Sequence, residues 1–233
     1  CQKRMQSETD GFGRPKYHTI KANFIWSTLH KNILPLLCRT ARSDRPIGPF
    51  KQYSDGWLRD EPAIDGHLLF DDSGVYLYYV RLGGGNRIFV AKMSDDLKRI
   101  EHEYENVLIQ AEETWETADC LVAEGPFVIK QNGLYYLFYS CNHTRSEDYA
   151  VGYAVSDCPT GPFKKYENNP ILRKKGDVAG VGHNSFMPTD EENRFICAYH
   201  CHSGNSDNFK PRMVCLCDAG FEKGNDTDIL KIY

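Results

Sequence analysis

The stretch Cys120–Ser140, CLVAEGPFVIKQNGLYYLFYS, decides the fold. It places Glu124 ahead of a short apolar run, Phe127–Ile129, which is followed by Gln131–Gly133 and a second run, Leu134–Tyr139. Asn-Gly between two β-prone runs is the strongest short-range signal for a hairpin. The stretch therefore predicts a β-hairpin with Glu124 at the start of its first strand, where a side chain can face a cavity.

The same pattern occurs twice more in the chain. One copy starts at Asp65 and has a turn at Ser73-Gly74, and another starts at His183 and has a polar turn at Asp190–Asn193. The starting residues 65, 124 and 183 are separated by two equal steps of 59 residues. A repeat of this length with four strand-sized segments fits the blade of a β-propeller. We expect Asp65, Glu124 and His183 to meet at the axis of such a propeller.

A second repeated motif marks the outer strands of the blades. Ser-Asp-x-Pro-x-Gly-Pro-Phe occurs at residues 43–50 and again at 156–163, close to two repeats apart. Weaker copies cover Ile88–Leu97 and Val214–Phe221. Residues 38–233 therefore hold one outer half-blade and three whole blades, about three and a half in all. Residues 1–37 show no clear period and are left as an unassigned, atypical N-terminal segment.

The composition agrees with an all-β chain and excludes several functions. The 233 residues include 14 Tyr and 12 Phe, and long helical periods are absent. A net charge of −4 and a pI of about 6.1 disfavour a nucleic-acid partner. The sequence has no run of about 18 apolar residues, so it predicts no membrane-spanning segment.

The cysteines leave the cellular compartment open. Cys1 is compatible with the start of a mature bacterial lipoprotein, hence an extracellular or periplasmic location, but equally with an arbitrary start and a cytoplasmic protein. Nine cysteines without a disulfide spacing suggest free thiols. Cys197, His200, Cys201 and His202 resemble a zinc set, but strand alternation puts the cysteines and histidines on opposite faces. We therefore expect no zinc site there.

Taken together, these segments resemble glycoside hydrolase family 43, whose members are five-bladed β-propellers. The matching residues are the Ile64-Asp65 strand start, Glu124–Phe127, Gly182-His183 and the two Ser-Asp-x-Pro-x-Gly-Pro-Phe turns. The resemblance covers residues 38–233. It implies an inverting hydrolase of arabinosyl or xylosyl linkages, such as an arabinofuranosidase or xylosidase, which needs no redox cofactor.

The resemblance also implies the roles of two carboxylates. Glu124 matches the general acid, which protonates the leaving oxygen while a second carboxylate activates water on the opposite face of the sugar. Asp65 matches the residue that orients the general acid and modulates its pKa, because a neighbouring negative charge disfavours ionisation. Each carboxylate considered alone is equally compatible with a turn or a loop cap.

Three further residues are candidates for substrate or ion binding. His183 matches a histidine of the central channel, where the resemblance allows a structural calcium or other ion, although a strand-start histidine is more often a satisfied polar residue. Arg212 matches an arginine that faces the substrate pocket, and its guanidinium fork suits sugar hydroxyls or a carboxylate. Trp115 offers an aromatic face to a sugar, although most tryptophans are simply buried.

The catalytic base of the family, an aspartate followed by proline in the first blade, has no match. The sequence contains no Asp-Pro dipeptide, and residues 1–37 are too short for the first blade and half of the second. The propeller is thus expected to be incomplete at its N-terminus, with the base unidentified and the hydrolytic activity impaired.

The expected partner is an oligo- or polysaccharide of the arabinan, arabinoxylan or xylan type. The main alternative is a non-catalytic carbohydrate-binding propeller with the same pocket. A protein-interaction propeller is disfavoured because the blades lack the Trp-Asp dipeptide that the commonest such repeats carry.

Overall fold

The computed structural model describes the backbone of residues 22–27, and residues 38–45, 47–203, 212–225 and 227–233 with their side chains. Within these ranges the chain forms four antiparallel sheets, and a single short 3-10 turn, Thr114–Glu116, is the only helical element. The all-β class predicted from the sequence is confirmed. No helix in the described ranges has the length and apolarity needed to cross a membrane.

The four sheets follow one another along the chain. The first contains β1 (Ala22–Ser27), β2 (Cys38–Ser43) and β3 (Lys51–Gln52), and the second contains β4 (Ala63–Asp71), β5 (Gly74–Arg81), β6 (Arg87–Met93) and β7 (Ile100–Glu103). The third contains β8 (Ala123–Gln131), β9 (Leu134–Cys141), β10 (Ala150–Ser156) and β11 (Lys164–Lys165). The fourth contains β12 (Gly182–Pro188), β13 (Arg194–His202), β14 (Arg212–Glu222) and β15 (Ile229–Ile232).

Each sheet is a meander in which consecutive strands pair, as in the blades of a propeller. The second, third and fourth sheets are complete four-stranded blades, as the repeat predicted. The first sheet has one strand more than the predicted half-blade, because β1 pairs along its whole length with β2, from Ala22 opposite Ser43 to Ser27 opposite Cys38. Residues 1–21 and 28–37 of the unassigned N-terminal segment lie outside the described residues.

The hairpin predicted from Cys120–Ser140 is present. Its two-residue turn is Asn132-Gly133, with φ angles of 49° and 80°. Positive φ at both positions matches the right-handed twist of the flanking strands. The corresponding turn of the second sheet lies at Asp72-Ser73, one residue earlier than the predicted Ser73-Gly74, because Gly74 already pairs with Asp71 in the ladder.

The repeated Gly-Pro turn also has one geometry in both copies. The N–H of Gly48 donates to the carbonyl of Arg45 at 3.0 Å, and that of Gly161 donates to the carbonyl of Cys158 at 3.0 Å. The φ angles of the two glycines are 82° and 79°, a region in which a side chain is strained. The shared sequence therefore encodes a shared turn at the outer edges of the first and third sheets.

Adjacent sheets pack face to face, and the second strand of a blade is buried between its two neighbours. In β9, Tyr135, Leu137 and Tyr139 belong to the core between the second and third sheets, whereas Tyr136 and Phe138 belong to the core between the third and fourth. This explains why β9 reads as an unbroken aromatic run rather than an alternation of apolar and polar residues.

Among the described residues, another sheet packs against only one face of the fourth sheet. Its other face exposes Val214, Leu216 and Met187, which are 82%, 67% and 63% accessible to solvent. The register places these side chains on one face of the sheet, since Val214, Leu216 and Asp218 occupy alternate positions of β14 and Met187 pairs with Ile196, which pairs with Asp218. The sheet therefore ends the described stack with an apolar surface.

Candidate active site

The first strands of the three complete sheets share a β-bulge near their starts. In β4, Ile64 pairs with Val80 and His67 pairs with Tyr78, so two residues oppose the single Tyr79. The strands β8 and β12 are interrupted at the same point of their ladders. The residues opposite the three bulges are Tyr79, Tyr139 and Tyr199, at equal steps of 60 residues. One backbone irregularity is thus repeated in each blade.

The first residue of every bulge has a left-handed backbone. Asp65, Gly125 and His183 have φ angles of 55°, 61° and 54°. Non-glycine residues are uncommon there, and Asp and His are among the better tolerated. A bulge bends its strand and re-aims the neighbouring side chains, which is why bulges recur beside active sites.

This geometry corrects the interpretation of the 59-residue repeat. Glu124 is not the structural equivalent of Asp65 and His183, because that position in the third sheet is taken by Gly125. The structural steps are 60 and 58 residues, and Glu124 corresponds instead to Ile64 and Gly182. Equal spacing in the sequence therefore predicted the right neighbourhood but misplaced Glu124 by one residue.

The structure nevertheless brings the three predicted residues together, with Gly125 between them. The N–H of Gly125 donates a hydrogen bond of 3.1 Å to Oδ2 of Asp65. On the other side, a Cβ atom added to Gly125 would approach Nδ1 of His183 to 3.2 Å. The N–H of His183 in turn donates to Oγ of Ser140 at 2.9 Å. The bulges of neighbouring sheets are thus linked through their backbone amides.

Glu124 is held by one donor on each carboxylate oxygen. The hydroxyl of Tyr149 donates to Oε1 at 2.8 Å, and Nδ2 of Asn86 donates to Oε2 at 3.3 Å. Burial and the charge of Asp65 raise the pKa of Glu124, while hydrogen bonds from Tyr149 and Asn86 and the nearby His183 act in the opposite direction. A raised pKa keeps the carboxyl protonated to higher pH, which is the state that a general acid requires.

The two donors to Glu124 were not identified from the sequence, although they occupy one repeated position. Asn86 and Tyr149 each precede the third strand of their sheet by one residue, and Arg212, at the start of β14, is the third member. The positions 86, 149 and 212 are separated by equal steps of 63 residues. The three residue types differ, so only the strand register reveals the equivalence.

Arg212 acts electrostatically on His200, whose ring stacks on Tyr149. Its Nη1 donates to Oγ1 of Thr144 at 3.4 Å, and Nε2 of His202 meets the carbonyl of Thr144 at 2.9 Å. Burial, followed by the charge of Arg212, lowers the pKa of His200 to about 4. The ring of His200 stacks on Tyr149 with centroids 5.5 Å apart. Arg212 is exposed, so its guanidinium stays accessible to a ligand.

Trp115 packs within the third sheet rather than beside Glu124. Its Nε1 donates to Oε2 of Glu113 at 2.8 Å, and its ring lies 5.9 Å from that of Tyr139. The same ring covers Gly152, where an added Cβ would come within 2.8 Å of the indole. The indole thus packs within the third sheet, and no hydrogen bond or ring contact among the described residues joins it to Glu124, Asp65 or His183.

The described residues contain no group of three His, Cys, Asp or Glu side chains that could hold a metal ion. The ion that the resemblance allows near His183 stays a prediction, and no chemical step is assigned to it. In the last sheet, Sγ of Cys201 lies 3.2 Å from Sγ of Cys215, and both are free thiols.

The comparisons with known proteins agree with this geometry. The family model for "Glycosyl hydrolases family 43" matches residues 30–222. The chain is 26% identical over 188 residues to the beta-D-galactofuranosidase xynD of Aspergillus niger, covering 78% of this chain and 51% of that protein. It is 32% identical over 158 residues to xylosidase/arabinosidase 43A of Humicola insolens, covering 53% and 47%. The chain thus spans about half the length of these curated relatives.

Solved structures show the same fold. An endo-1,4-beta-xylanase from Bacteroides thetaiotaomicron superposes with a TM-score of 0.77 at 36% identity, covering 91% of this chain and 74% of that one. An alpha-L-arabinofuranosidase from Lactobacillus brevis superposes with a TM-score of 0.72 at 21% identity, covering 92% and 73%. The family match over most of the chain, the propeller blades and the neighbouring carboxyl groups of Asp65 and Glu124 lead to one conclusion: this chain belongs to the glycosyl hydrolases of family 43.

Proposed function

We propose that this chain carries the acid half of an inverting glycoside-hydrolase site for xylosyl or arabinosyl linkages in polysaccharides of the xylan or arabinan type. The observation that carries the proposal is Glu124, a half-buried carboxyl whose pKa is raised by desolvation and by Asp65 and whose two oxygens both accept hydrogen bonds. The printed activities of the relatives, xylosidase, arabinosidase and endo-xylanase, support the substrate class.

In this mechanism Glu124 acts in its protonated form. It transfers its proton to the glycosidic oxygen as the bond from that oxygen to the anomeric carbon breaks, so the leaving sugar departs as a neutral alcohol. Asp65 fixes the adjacent backbone through the N–H of Gly125, and its charge favours the protonated state. Arg212 supplies a fork of donors for hydroxyl groups.

The second half of an inverting reaction needs a carboxylate that activates water on the opposite face of the sugar. The family's base precedes a proline, and the 233-residue sequence has no Asp-Pro dipeptide. We propose that hydrolysis by this chain is therefore slow. The same observation favours the second candidate function, a propeller that binds the sugar without cleaving it.

The test compares the chain with Glu124→Gln on two kinds of substrate. Nitrophenyl xyloside and arabinofuranoside have good leaving groups, whereas xylo- and arabino-oligosaccharides have poor ones and depend more on proton donation. Because a general acid contributes about 10²–10⁴-fold, we expect Glu124→Gln to lower oligosaccharide turnover by about 100-fold or more and nitrophenyl release by less.

Glu167→Gln, at an exposed position, is the control and should behave like the parent chain. Equal oligosaccharide turnover by the parent and Glu124→Gln would remove Glu124 from the chemistry. Calorimetric binding of the oligosaccharides without turnover in either protein would establish the binding function instead.

A further inference from the structure

We propose that Tyr149 is the positioning residue of Glu124, and that the absence of a side chain at Gly182 is what allows Tyr149 to reach it. The first part rests on the hydrogen bond of 2.8 Å from the Tyr149 hydroxyl to Oε1 of Glu124. Its role in proton donation rests on the proposed function, whereas the contacts and the test below do not.

Tyr149 is fixed by its surroundings, and Ser140 is a second hydrogen-bond partner of its hydroxyl. It is fully buried, and its ring stacks on His200 with an interplanar angle of 19°. Burial raises the pKa of the Tyr149 hydroxyl well above its usual value, with a further contribution from Glu124. The hydroxyl therefore keeps its proton, and can donate it in a hydrogen bond, well above the pH at which an ordinary tyrosine ionises.

Gly182 provides the space for this ring. A Cβ atom added at Gly182 would lie 2.1 Å from Cε1 and 2.4 Å from Cδ1 of Tyr149, far inside any real carbon–carbon contact. Gly182 is also the equivalent in β12 of Glu124 in β8. The fourth sheet thus has no side chain at this position, and the ring of Tyr149 from the third sheet fills the space.

Asn86 completes the arrangement from the second sheet, at the position equivalent to Tyr149. Two neighbouring sheets therefore hold the carboxyl group in one orientation. The groups that act on the charge of Glu124 are Asp65 on β4, His183 on β12 and Tyr149 itself, and Glu124 in turn acts on the thiols of Cys120 and Cys141. A test must therefore separate Tyr149 from the others.

The first experiment measures the pKa of Glu124 in the chain without substrate, from the carboxyl ¹³C resonance that Glu124→Gln removes. Tyr149→Phe deletes only the donor hydroxyl and keeps the ring. Because that hydrogen bond favours the ionised form, we expect the pKa of Glu124 to rise by about one unit. Tyr139→Phe is the matched control, since it deletes an equally buried hydroxyl whose partner is Glu116 at 2.7 Å.

An unchanged or lower pKa of Glu124 in Tyr149→Phe would overturn the proposal, and so would an equal rise in Tyr139→Phe. Absence of glycosidase activity in the parent chain would count against the proposed function alone, because the titration uses no substrate.

The second experiment tests Gly182. We expect Gly182→Ala to raise the pKa of Glu124, as Tyr149→Phe does, because the added methyl group displaces the Tyr149 ring and with it the hydrogen bond to Glu124. Gly56→Ala, with nothing within 4 Å of the added Cβ, should change neither the pKa of Glu124 nor the stability of the chain.

If Gly182→Ala unfolds the chain, the comparison is made in a Tyr149→Ala background, where the clash is absent and the added methyl should be tolerated. If Gly182→Ala lowers the stability equally in the parent chain and in the Tyr149→Ala background, the clash is not with Tyr149.

Discussion

At the scale of single residues, the left-handed bulge position carries a different residue in each sheet. Asp65 uses it to accept the N–H of Gly125, and His183 uses it to pack against the same glycine. Gly125 lets the His183 ring approach closely, because a Cβ there would lie 3.2–3.4 Å from the ring atoms. The three sheets thus share the backbone conformation at this position, but the residue there makes a different contact in each sheet.

Asp65→Asn tests the electrostatic effect of Asp65 on Glu124. The amide keeps an acceptor for the N–H of Gly125 but removes the negative charge, so we expect the pKa of Glu124 to fall by about one unit. The protonated state of Glu124 is then lost at lower pH, and any activity that depends on it declines at lower pH as well. The carboxyl ¹³C titration of Glu124 measures the shift directly.

Asp72→Asn is the control for Asp65→Asn, since it removes a fully exposed charge at the other end of the same hairpin. A pKa of Glu124 that stays constant or rises in Asp65→Asn would contradict the assigned influence of Asp65.

At the scale of elements, a buried carboxylate joins the second and third sheets at their hairpin ends. Oδ2 of Asp71 accepts hydrogen bonds from Nζ of Lys130 at 2.5 Å and from the hydroxyl of Tyr135 at 2.9 Å, and Oδ1 accepts from Ser73. Burial raises the pKa of Asp71, but the bonds from Lys130, Ser73 and Tyr135 outweigh it and hold the pKa well below its usual value of 3.8.

We predict that Asp71→Ala lowers the free energy of unfolding at pH 7 by about 1–3 kcal/mol, because it leaves the hydroxyl of the buried Tyr135 without its acceptor. The folded-state pKa of Asp71 is depressed, so its stabilising effect is present above about pH 4 and disappears as the pH falls through the folded-state value. The difference between the parent and Asp71→Ala in urea unfolding should therefore shrink at low pH.

Asp72→Ala provides the matched control for Asp71→Ala. The two aspartates are adjacent, but the Asp72 side chain is fully exposed and lies 4.0 Å from Nζ of Lys130, so it should change the unfolding energy by less than about 0.5 kcal/mol. Equal effects of the two substitutions at pH 7 would show that the burial of Asp71 does not matter.

At the scale of the whole molecule, the stack of sheets ends on the apolar face of the fourth sheet. Each inner interface is a dense aromatic core, whereas Val214 and Leu216 on this last face are mostly exposed to water. Contiguous apolar surface of this kind favours association. This exposed face therefore makes association of the 233-residue chain favourable.

We predict concentration-dependent self-association of this chain, which Leu216→Glu reduces by placing a charge in the centre of that face. Sedimentation velocity over a range of protein concentrations measures it. Val178→Glu is the control, because Val178 is an exposed apolar residue of a loop and not of this face. A single monomeric species at all concentrations would contradict the prediction, and so would equal effects of the two substitutions.

Much of the fold could be predicted from the sequence because its signals are local. Asn132-Gly133 between two β-prone runs specifies a hairpin within a few residues, and the repeated Gly-Pro motif specifies one turn geometry twice. The aromatic runs of β5 and β9 also indicated strands, although they could not show that both faces of each strand are covered. The strand β1 escaped prediction because it is defined mainly by its pairing with β2.

The sequence by itself thus determined the blades, their order and the neighbourhood of Asp65, Glu124 and His183. Only the tertiary structure decided that Gly125, and not Glu124, holds the bulge position, and that Tyr149 and Asn86 hold the carboxyl group. The physical reason is that a bulge and a hydrogen bond between sheets depend on strand register and packing across distances of 25 to 60 residues. Spacing along the chain does not resolve a shift of one residue at such separations, whereas the ladder of backbone hydrogen bonds does.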